Sequence, residues 1–481
     1  MQKVIEEIKA LAESTFSVSG VEVEVLPQSG SDRRYFRVFE NGKSYIACYG
    51  PNVQENRTFI SFTNQFRKYS IPVPEIHAIN DRSDIYILED FGTISLLDEL
   101  EKNKYNSYVY DLFKKSLRSL AQLQVVAGEG IDYNMCLTAK EFGKQAILSD
   151  LLYFKYYFLD TLKYPYDKQA LLNDFDSLTD YLTKNVDQHF MFRDFQSRNI
   201  MIKDGEVHFI DYQGGMKGAL QYDVASLLWQ AKAELPEDWK NDLLNYYIEE
   251  VNQLLDGAID KEAFVYQYNG YVLIRLLQVM GAYGFRGLFE RKAHFLSSIP
   301  PAINNLKWFV DNTQMGIALP ELDRCLRHCV SDEVLKSFES IRARENSPLV
   351  VKISSFSFKQ GIPGDETENG GGFVFDCRGI LNPGRFQEYK KLTGRDKPVK
   401  DFLEQQTKMP EFLNSVYNIV DISVTDYLKR DFESLMVSFG CTGGQHRSVY
   451  AADALARYLK NKFNVKVELY HHVQDAKNWI N

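Results

Sequence analysis

The sequence predicts an α/β multidomain chain in three parts: a small lobe on an antiparallel sheet, a mainly helical lobe, and an α/β domain with a largely parallel sheet. Three observations carry that expectation. Strand-turn-strand patterns fill the first 92 residues, apolar residues at helical spacing dominate to residue 330, and strands alternate with helical stretches after residue 350. At 481 residues the chain exceeds one hydrophobic core and suits separate domains.

The opening MQKVIEEIKALAEST reads as an amphipathic helix rather than a signal peptide. VEVEVL (21–26) and YFRVF (35–39) flank PQSGSDRR, whose Pro, Gly, Ser and Asp supply turn chemistry. NGK then turns the chain into a third strand, SYIACYG (44–50). QENRTFISFTNQFRKYS (54–70) has helical spacing, and IPVPEI leads to the strand DIYILEDFG (84–92). Residues 1–92 are the expected first lobe.

The second lobe, 93–330, is expected to be helical over 95–126, 141–160, 168–187, 223–234, 237–255, 262–283 and 302–313. Two short apolar strands, NIMIKDG and EVHFIDYQ, interrupt it. Residues 331–349, ending in the polar RARENSPL, suit a linker. In 350–481 the strands VVKISSFSFKQG, FVFDCRG, SLMVSFG and VKVELYHH go with a helix over 447–462, and GDETENGGG (364–372) is a flexible turn. His471 and His472 are expected at the surface.

Hydrophobic content of 44% with 25% charged residues is ordinary for a globular chain, and no apolar run approaches the ~18–20 residues of a membrane span. The expectation is a cytoplasmic protein with no membrane partner. Six cysteines make no disulfide framework, and Cys325-x3-Cys329 lacks a second pair at zinc spacing. Residues 351–481 hold 18 Lys and Arg against 16 Asp and Glu, a local +2, which leaves −11 of the net −9 on the front. An acidic front argues against nonspecific nucleic-acid binding there.

One stretch carries chemistry: Phe192-Arg193-Asp194-Phe195-Gln196-Ser197-Arg198-Asn199, then IMIKDGEVHFI and Asp211. Phosphoryl transfer needs a carboxylate that accepts the proton of the acceptor hydroxyl, and Mg²⁺ to neutralise phosphate charge. Asp194 suits the catalytic base, and Asn199 and Asp211 suit metal ligands. A hairpin between them folds Asp211 back beside the loop. Asp and Asn also serve as plain turn residues in such settings.

SGSDRRYFRV, YILEDFG, FRDFQSRNIMI, FIDYQGGMKGALQYDVASLL and LQVMGAYGFRGLFERKAHFLSSIP resemble the aminoglycoside phosphotransferase/choline kinase group. Within it they are most similar to anomeric N-acetylmuramate/N-acetylglucosamine kinases. The resemblance implies a bilobal protein-kinase-like fold, ATP (or GTP) and Mg²⁺ as cofactors, and a small-molecule amino sugar as acceptor, phosphorylated at its anomeric hydroxyl. By resemblance 29–37 covers the nucleotide phosphates, through Ser29, Gly30, Ser31 and Arg33, and 88–92 holds the adenine edge at Glu89. The group's histidine two residues before the base is Phe192 here, and the third strand shows no phosphate-binding lysine. Lys43 reads as a solvated turn charge, and Glu55 as either the lysine's former partner or a solvated helix face.

In the tail, SLMVSFG-CTGGQHRS-VYAADALARYL places a Gly-containing loop between a strand and a helix, an anion-binding arrangement to which Arg447 adds a forked donor. Cys441-x5-Arg447-Ser448 fits a loop whose thiolate attacks phosphorus, and equally a noncatalytic cradle. With FVFDCRGILNPGR and TGRDKPVKDFLE this loop closely resembles the RapZ C-terminal domain. That resemblance implies a hexosamine phosphate held by Asp376, Arg378, Asn382, Arg385, Cys441, Thr442, Gly443, Gly444, Gln445, His446, Arg447 and Ser448. It also implies RNA and RNase partners, which a local charge of +2 does not support. Three functions stay open: a hexosamine kinase with a sugar-phosphate-binding tail, a nonenzymatic metabolite sensor or RNA-associated adapter, and a kinase joined to a phosphatase.

Overall fold

The computed structural model describes residues 2–26, 32–184, 187–255, 257, 259–289, 293–296, 298–338, 343–344, 346–365 and 371–476. The chain divides into two compact units, Met1–Ser337 and Phe338–Asn481. The segment expected as a linker over 331–349 is helical at Asp332–Phe338. Most of the turn expected at 364–372 lies outside the described residues.

The first unit opens with α1 (Gln2–Phe16), β1 (Glu22–Val25), β2 (Arg34–Glu40), β3 (Lys43–Tyr49), α2 (Val53–Lys68), β4 (Ile76–Ile79) and β5 (Ile85–Glu89). The strands form an antiparallel sheet in the order β1-β2-β3-β5-β4. Because strand side chains alternate, Phe36, Val38, Ala47, Ile85 and Ile87 face Ile8 and Ala12 of α1 in one core. Tyr35 and Tyr86 lie opposite Cys48 on the other face. There α2 inserts Phe59 against Tyr86 and Tyr212, at ring distances of 5.4 and 4.9 Å. Thr63 Oγ1 and Tyr212 Oη also meet, at 2.6 Å, so α2 ties the sheet to the segment after Asp211.

The helical lobe comprises α3 (Leu96–Asn103), α4 (Ser107–Val125), α5 (Lys144–Tyr157), α6 (Lys168–Thr183), α7 (Leu220–Leu228), α8 (Glu237–Leu254), α9 (Lys261–Tyr283), α10 (Ala293–Leu296), α11 (Ile299–Asn312), α12 (Pro320–Cys329) and α13 (Asp332–Phe338). Two antiparallel strand pairs sit between α6 and α7: β6 (His189–Met191) with β9 (Met216–Gly218), and β7 (Ile200–Lys203) with β8 (Glu206–Phe209). The second is the expected hairpin, turned by Asp204 and Gly205 at φ 53° and 76°. Counter to the sequence expectation, α9 with the turn after it is long and apolar enough to cross a membrane. It packs instead against α5, α7 and α11 as the lobe's central helix. Gly281 permits this, since a Cβ there would stand 2.9 Å from Phe154 N of α5.

The second unit holds β10 (Val350–Ser357), β11 (Phe373–Asp376), α14 (Lys397–Gln406), α15 (Met409–Lys429), β12 (Ser434–Cys441), α16 (Arg447–Phe463), β13 (Lys466–His471) and α17 (His472–Ala476). The four strands pair in parallel in the order β11-β12-β10-β13. From β10 the chain runs past β12 to the edge strand β11, and from β12 it crosses through α16 past β10 to β13, so the connections leaving the adjacent strands β10 and β12 run in opposite directions. Crevices at the carboxyl ends of strands beside such a reversal are where open α/β sheets bind ligands. Ser357, Asp376 and Cys441 end their strands at that edge.

Candidate active site and anion loop

In the first unit the chain leaves β6 at Met191 and enters a loop built around Phe192. That ring is buried, edge-on to Phe195 at 5.3 Å and Tyr212 at 6.0 Å, so packing locates what a histidine was expected to position. The backbone N–H groups of Phe192 and Arg193 donate to the Asp223 carboxylate on α7, at 2.6 and 2.9 Å. Gln124 Nε2 donates to the same group at 2.9 Å, while Gln124 Oε1 accepts from Tyr247 Oη. Complete burial pushes the Asp223 carboxyl up to about 7, against those three bonds.

Arg193 takes a left-handed φ of 80°, a conformation non-glycine residues adopt only where their surroundings enforce it. Its guanidinium reaches both Asp150 oxygens, at 3.1 and 3.2 Å, donates to Tyr222 Oη and stacks 4.4 Å from the Phe142 ring. The next residue, Asp194, is left half-exposed, with Arg275 Nη2 3.9 Å from its Oδ1. Asn199 Nδ2 donates to the Asp194 carbonyl at 2.9 Å, which leaves Asn199 Oδ1 as the open end of that side chain. Ile210 N donates to Asn199 O at 3.1 Å and so brings Asp211 alongside. Asp211, exposed and at φ 71°, accepts from Gln213 Nε2 at 2.8 Å. Gln213 Oε1 is a buried acceptor with no partner among the described residues. An amide oxygen and a carboxylate beside an orphaned acceptor are the hard donors Mg²⁺ prefers, so these residues fit that ion.

Ser29, Gly30 and Ser31 lie outside the described residues. Arg33 is buried and forms an ion pair with Glu55 of α2, donates to Tyr35 Oη at 3.3 Å, and keeps Nε without a partner among the described residues. Glu55 is thus no solvated helix charge. Burial pushes the Tyr35 phenol up to about 12, and the Asp211 charge acts in the same direction. Lys43 is exposed. Glu89 ends β5 with Lys203 Nζ 3.4 Å from its Oε1. The hinge beyond it is fixed by Asp90, which pairs with Arg37 at 2.7 Å and accepts from Gly92 N.

In the second unit the loop after β12 folds back on its own cysteine. Gly444 N donates to Cys441 Sγ at 3.2 Å, and Ser448 Oγ lies 3.2 Å away. Burial alone would raise the thiol, but the Ser448 hydroxyl and N–H, the Arg447 charge and Gly444 N–H bring it below its ordinary value. Gly444 has φ 64°, and a Cβ on it would stand 2.4 Å from Val473 Cγ2. Thr442 and Gly443 are exposed, and nothing would meet a Cβ on Gly443. Arg447 is buried, with Nη1 donating to the carbonyls of Arg378 at 3.0 Å and Ile380 at 2.7 Å.

The other expected tail residues divide by role. Asp376 and Arg378 grip each other, with Nη2 2.7 Å from Oδ2. Asn382 Oδ1 accepts from Gly384 N at 3.1 Å, and Arg385 is exposed on that turn. Gln445 Nε2 donates to the carbonyls of Lys390 and Leu392, and His446 Nε2 lies 2.9 Å from Tyr389 O. These two side chains brace the 389–394 segment instead of facing an anion. His471, expected at the surface, is buried between Ser355 and Asp453, at 2.8 and 3.3 Å. Ser355 is wholly inside the sheet, which removes it as a nucleophile.

Two family models match the chain: the phosphotransferase enzyme family over residues 22–257 and the RapZ C-terminal domain over 349–475. The chain joins an aminoglycoside-phosphotransferase-type domain to a RapZ C-terminal domain. Relatives named nucleotide-binding proteins include one from Acidithiobacillus ferrooxidans, 42% identical over 120 residues, covering 25% of this chain and 38% of that protein. One from Shewanella amazonensis is 32% identical over 179 residues, covering 37% of this chain and 56% of that protein. The chain therefore spans well under two thirds of these relatives. Among solved structures, a choline kinase of Streptococcus pneumoniae is similar at TM-score 0.43 and 14% identity, covering 65% of this chain and 99% of its own. An amicoumacin kinase in complex with AMP-PNP and Ca²⁺ is similar at TM-score 0.45 and 14% identity, covering 67% and 96%.

Within the phosphotransferase domain the sequence reading missed Asp150, Asp223 and Arg275. Asp223 had a signal: it is the one charged residue in the apolar LQYDVASLL helix, and such a residue must find buried partners. Arg275 carried the same signal, as the one charged residue beyond the first turn of the apolar α9, whereas Asp150 shares α5 with Lys144 and Lys155 and nothing marked it. In the RapZ C-terminal domain the missed group is Asp453, held by Arg395 at 3.0 Å across the start of α14.

Proposed function

We propose that the phosphotransferase domain moves the γ-phosphoryl group of ATP (or GTP) to a hydroxyl of an amino sugar, with the anomeric hydroxyl of N-acetylmuramate or N-acetylglucosamine as acceptor. The observation that carries it is the half-exposed Asp194 carboxylate, held by a loop whose backbone hangs on Asp223, with Asn199 bonded to its carbonyl and Asp211 following Ile210, whose N–H bonds Asn199 O. Asp194 accepts the hydroxyl proton as the new bond to phosphorus forms. Asn199 and Asp211 would hold Mg²⁺, which would neutralise charge on the phosphates. Arg33, kept in place by Glu55, binds phosphate oxygens from the sheet side, and Arg275 orients Asp194. The RapZ C-terminal domain binds a hexosamine phosphate at 441–448 and couples the chain's activity to that class of metabolite.

Support for the amino sugar comes from the resemblance of both halves to proteins of hexosamine chemistry. A nonenzymatic sensor would explain the absent histidine and lysine. The intact Asp194, Asn199 and Asp211 set and the Arg33–Glu55 pair favour catalysis. The test is ADP release from ATP with N-acetylmuramate, N-acetylglucosamine or glucosamine, comparing the protein with Asp194→Asn. Sugar-dependent ADP that falls at least about 100-fold in the variant is expected; no sugar-dependent ADP with any of the three sinks the proposal.

A further inference from the structure

The loop after β12 holds more than an anion cradle requires. An anion is satisfied by N–H groups, a helix N-terminus and a cation, and a thiol adds nothing to that set. We propose that the RapZ C-terminal domain of this chain also hydrolyses phosphomonoesters, with Cys441 as the nucleophile and Arg447 holding the phosphoryl oxygens. The proposal rests on the reading of 441–448 as a phosphate-binding loop.

Arg447 is the first support. It is 4% exposed, and its Nη1 is bound to two carbonyls, yet its Nε has no partner among the described residues. Burying a guanidinium N–H without a partner is costly unless a ligand completes it, and the Nε/Nη2 edge is the edge that grips two phosphate oxygens at once. Position is the second. Cys441 is the last residue of β12 and Arg447 the first of the 17-residue α16, so phosphorus bound at the helix N-terminus sits over the sulfur.

The contrast between two neighbouring thiols is the third. Cys377 and Cys441 are both buried at the ends of adjacent parallel strands, and burial holds the Cys377 thiol well above its ordinary value. Cys441 is shifted the other way because Ser448, Arg447 and Gly444 surround its sulfur. A buried structural cysteine has no use for three groups that favour its thiolate; a nucleophile does.

The chemistry balances with water alone. Cys441 Sγ attacks phosphorus, an S–P bond forms, and the ester P–O bond breaks. Water then attacks the phosphocysteine, the S–P bond breaks, and phosphate and thiolate leave, the water's proton passing to solvent. The surrounding groups offer the departing oxygen no proton. Asp376 is held below the usual carboxylate range by the Arg378 bonds, and burial depresses the His446 imidazole. The leaving oxygen must therefore depart as an anion, which favours aryl and anomeric phosphates over primary alkyl phosphates.

The test uses the full chain with p-nitrophenyl phosphate in EDTA, without nucleotide, so that metal-dependent chemistry is silent. Expected are nitrophenolate release, a phosphocysteine trapped by acid quench, and loss of at least about 100-fold in Cys441→Ser, which keeps its thermal shift with inorganic phosphate. Ser448→Ala should slow release and move the acid limb of the pH profile upward, which a merely structural serine would not do. Equal release by the protein and Cys441→Ser overturns the proposal. So does a phosphate shift without release, which leaves the loop a cradle. Absence of both shift and release overturns the proposal and the phosphate-loop reading together.

Discussion

At the scale of single residues, the phosphotransferase cleft depends on charges whose partners come from distant parts of the chain. Asp223 is the strongest case. Asp223→Ala leaves two buried N–H groups without an acceptor, costs about 2–4 kcal/mol of stability, and lets Asp194 drift. Steady-state kinetics should show kcat down at least about 100-fold with the KM for ATP little changed. Its protonation also sets a pH dependence. The folded carboxyl at about 7 holds its proton more tightly than the unfolded one, so the stability contribution is present below the ordinary carboxyl range and is lost as pH rises through about 7. Urea midpoints at pH 5 and pH 8 should fall less in Asp223→Asn than in the parent protein. Arg33→Met removes the cation that the third strand lacks, and a raise of about 10-fold in the KM for ATP is expected. Asp194, Asn199 and Asp211 were legible because their spacing is itself the signal. The bond between Gln124 and Asp223 spans 99 residues and leaves no trace in spacing.

At the scale of elements, strong local chemistry was readable and tertiary pairing was not. The β7–β8 hairpin announced itself through Asp204-Gly205 between apolar runs. Strands β6 and β9 have three residues each, too few for alternation to register, and exist because Met191 and His189 find Met216 and Gly218 across the loop. Helix α15 buries Leu413, Val416, Val420 and Val424 on one stripe, but the β-branched residues blur its helical propensity and it escaped notice. Helix α13 arose in a stretch that composition marked as linker. The packing of α5 on α9 offers a direct check: Gly281→Val inserts side-chain atoms where a Cβ already meets Tyr153 Cδ1 at 2.8 Å. Chemical denaturation should register a loss of about 1–3 kcal/mol.

At the scale of the whole molecule, the chain carries two units of opposite charge balance, −11 before residue 351 and +2 after it. Each has its own core and its own site, so calorimetry should resolve two unfolding transitions, and inorganic phosphate should raise the one that Arg447→Ala no longer lets it raise. The fold class was legible because pattern changes from strand to helix to alternation mark the units. The acceptor was not, because no motif or spacing in the helical lobe marks which of its residues face a substrate. Phosphoryl transfer by Asp194 is tested most directly by ³¹P NMR of the protein with ATP, Mg²⁺ and N-acetylmuramate, N-acetylglucosamine or glucosamine. A new sugar phosphomonoester resonance growing in step with ADP, and absent with Asp194→Asn, is the expected result. An unchanged ATP spectrum with all three sugars, or the same product from Asp194→Asn, would contradict it.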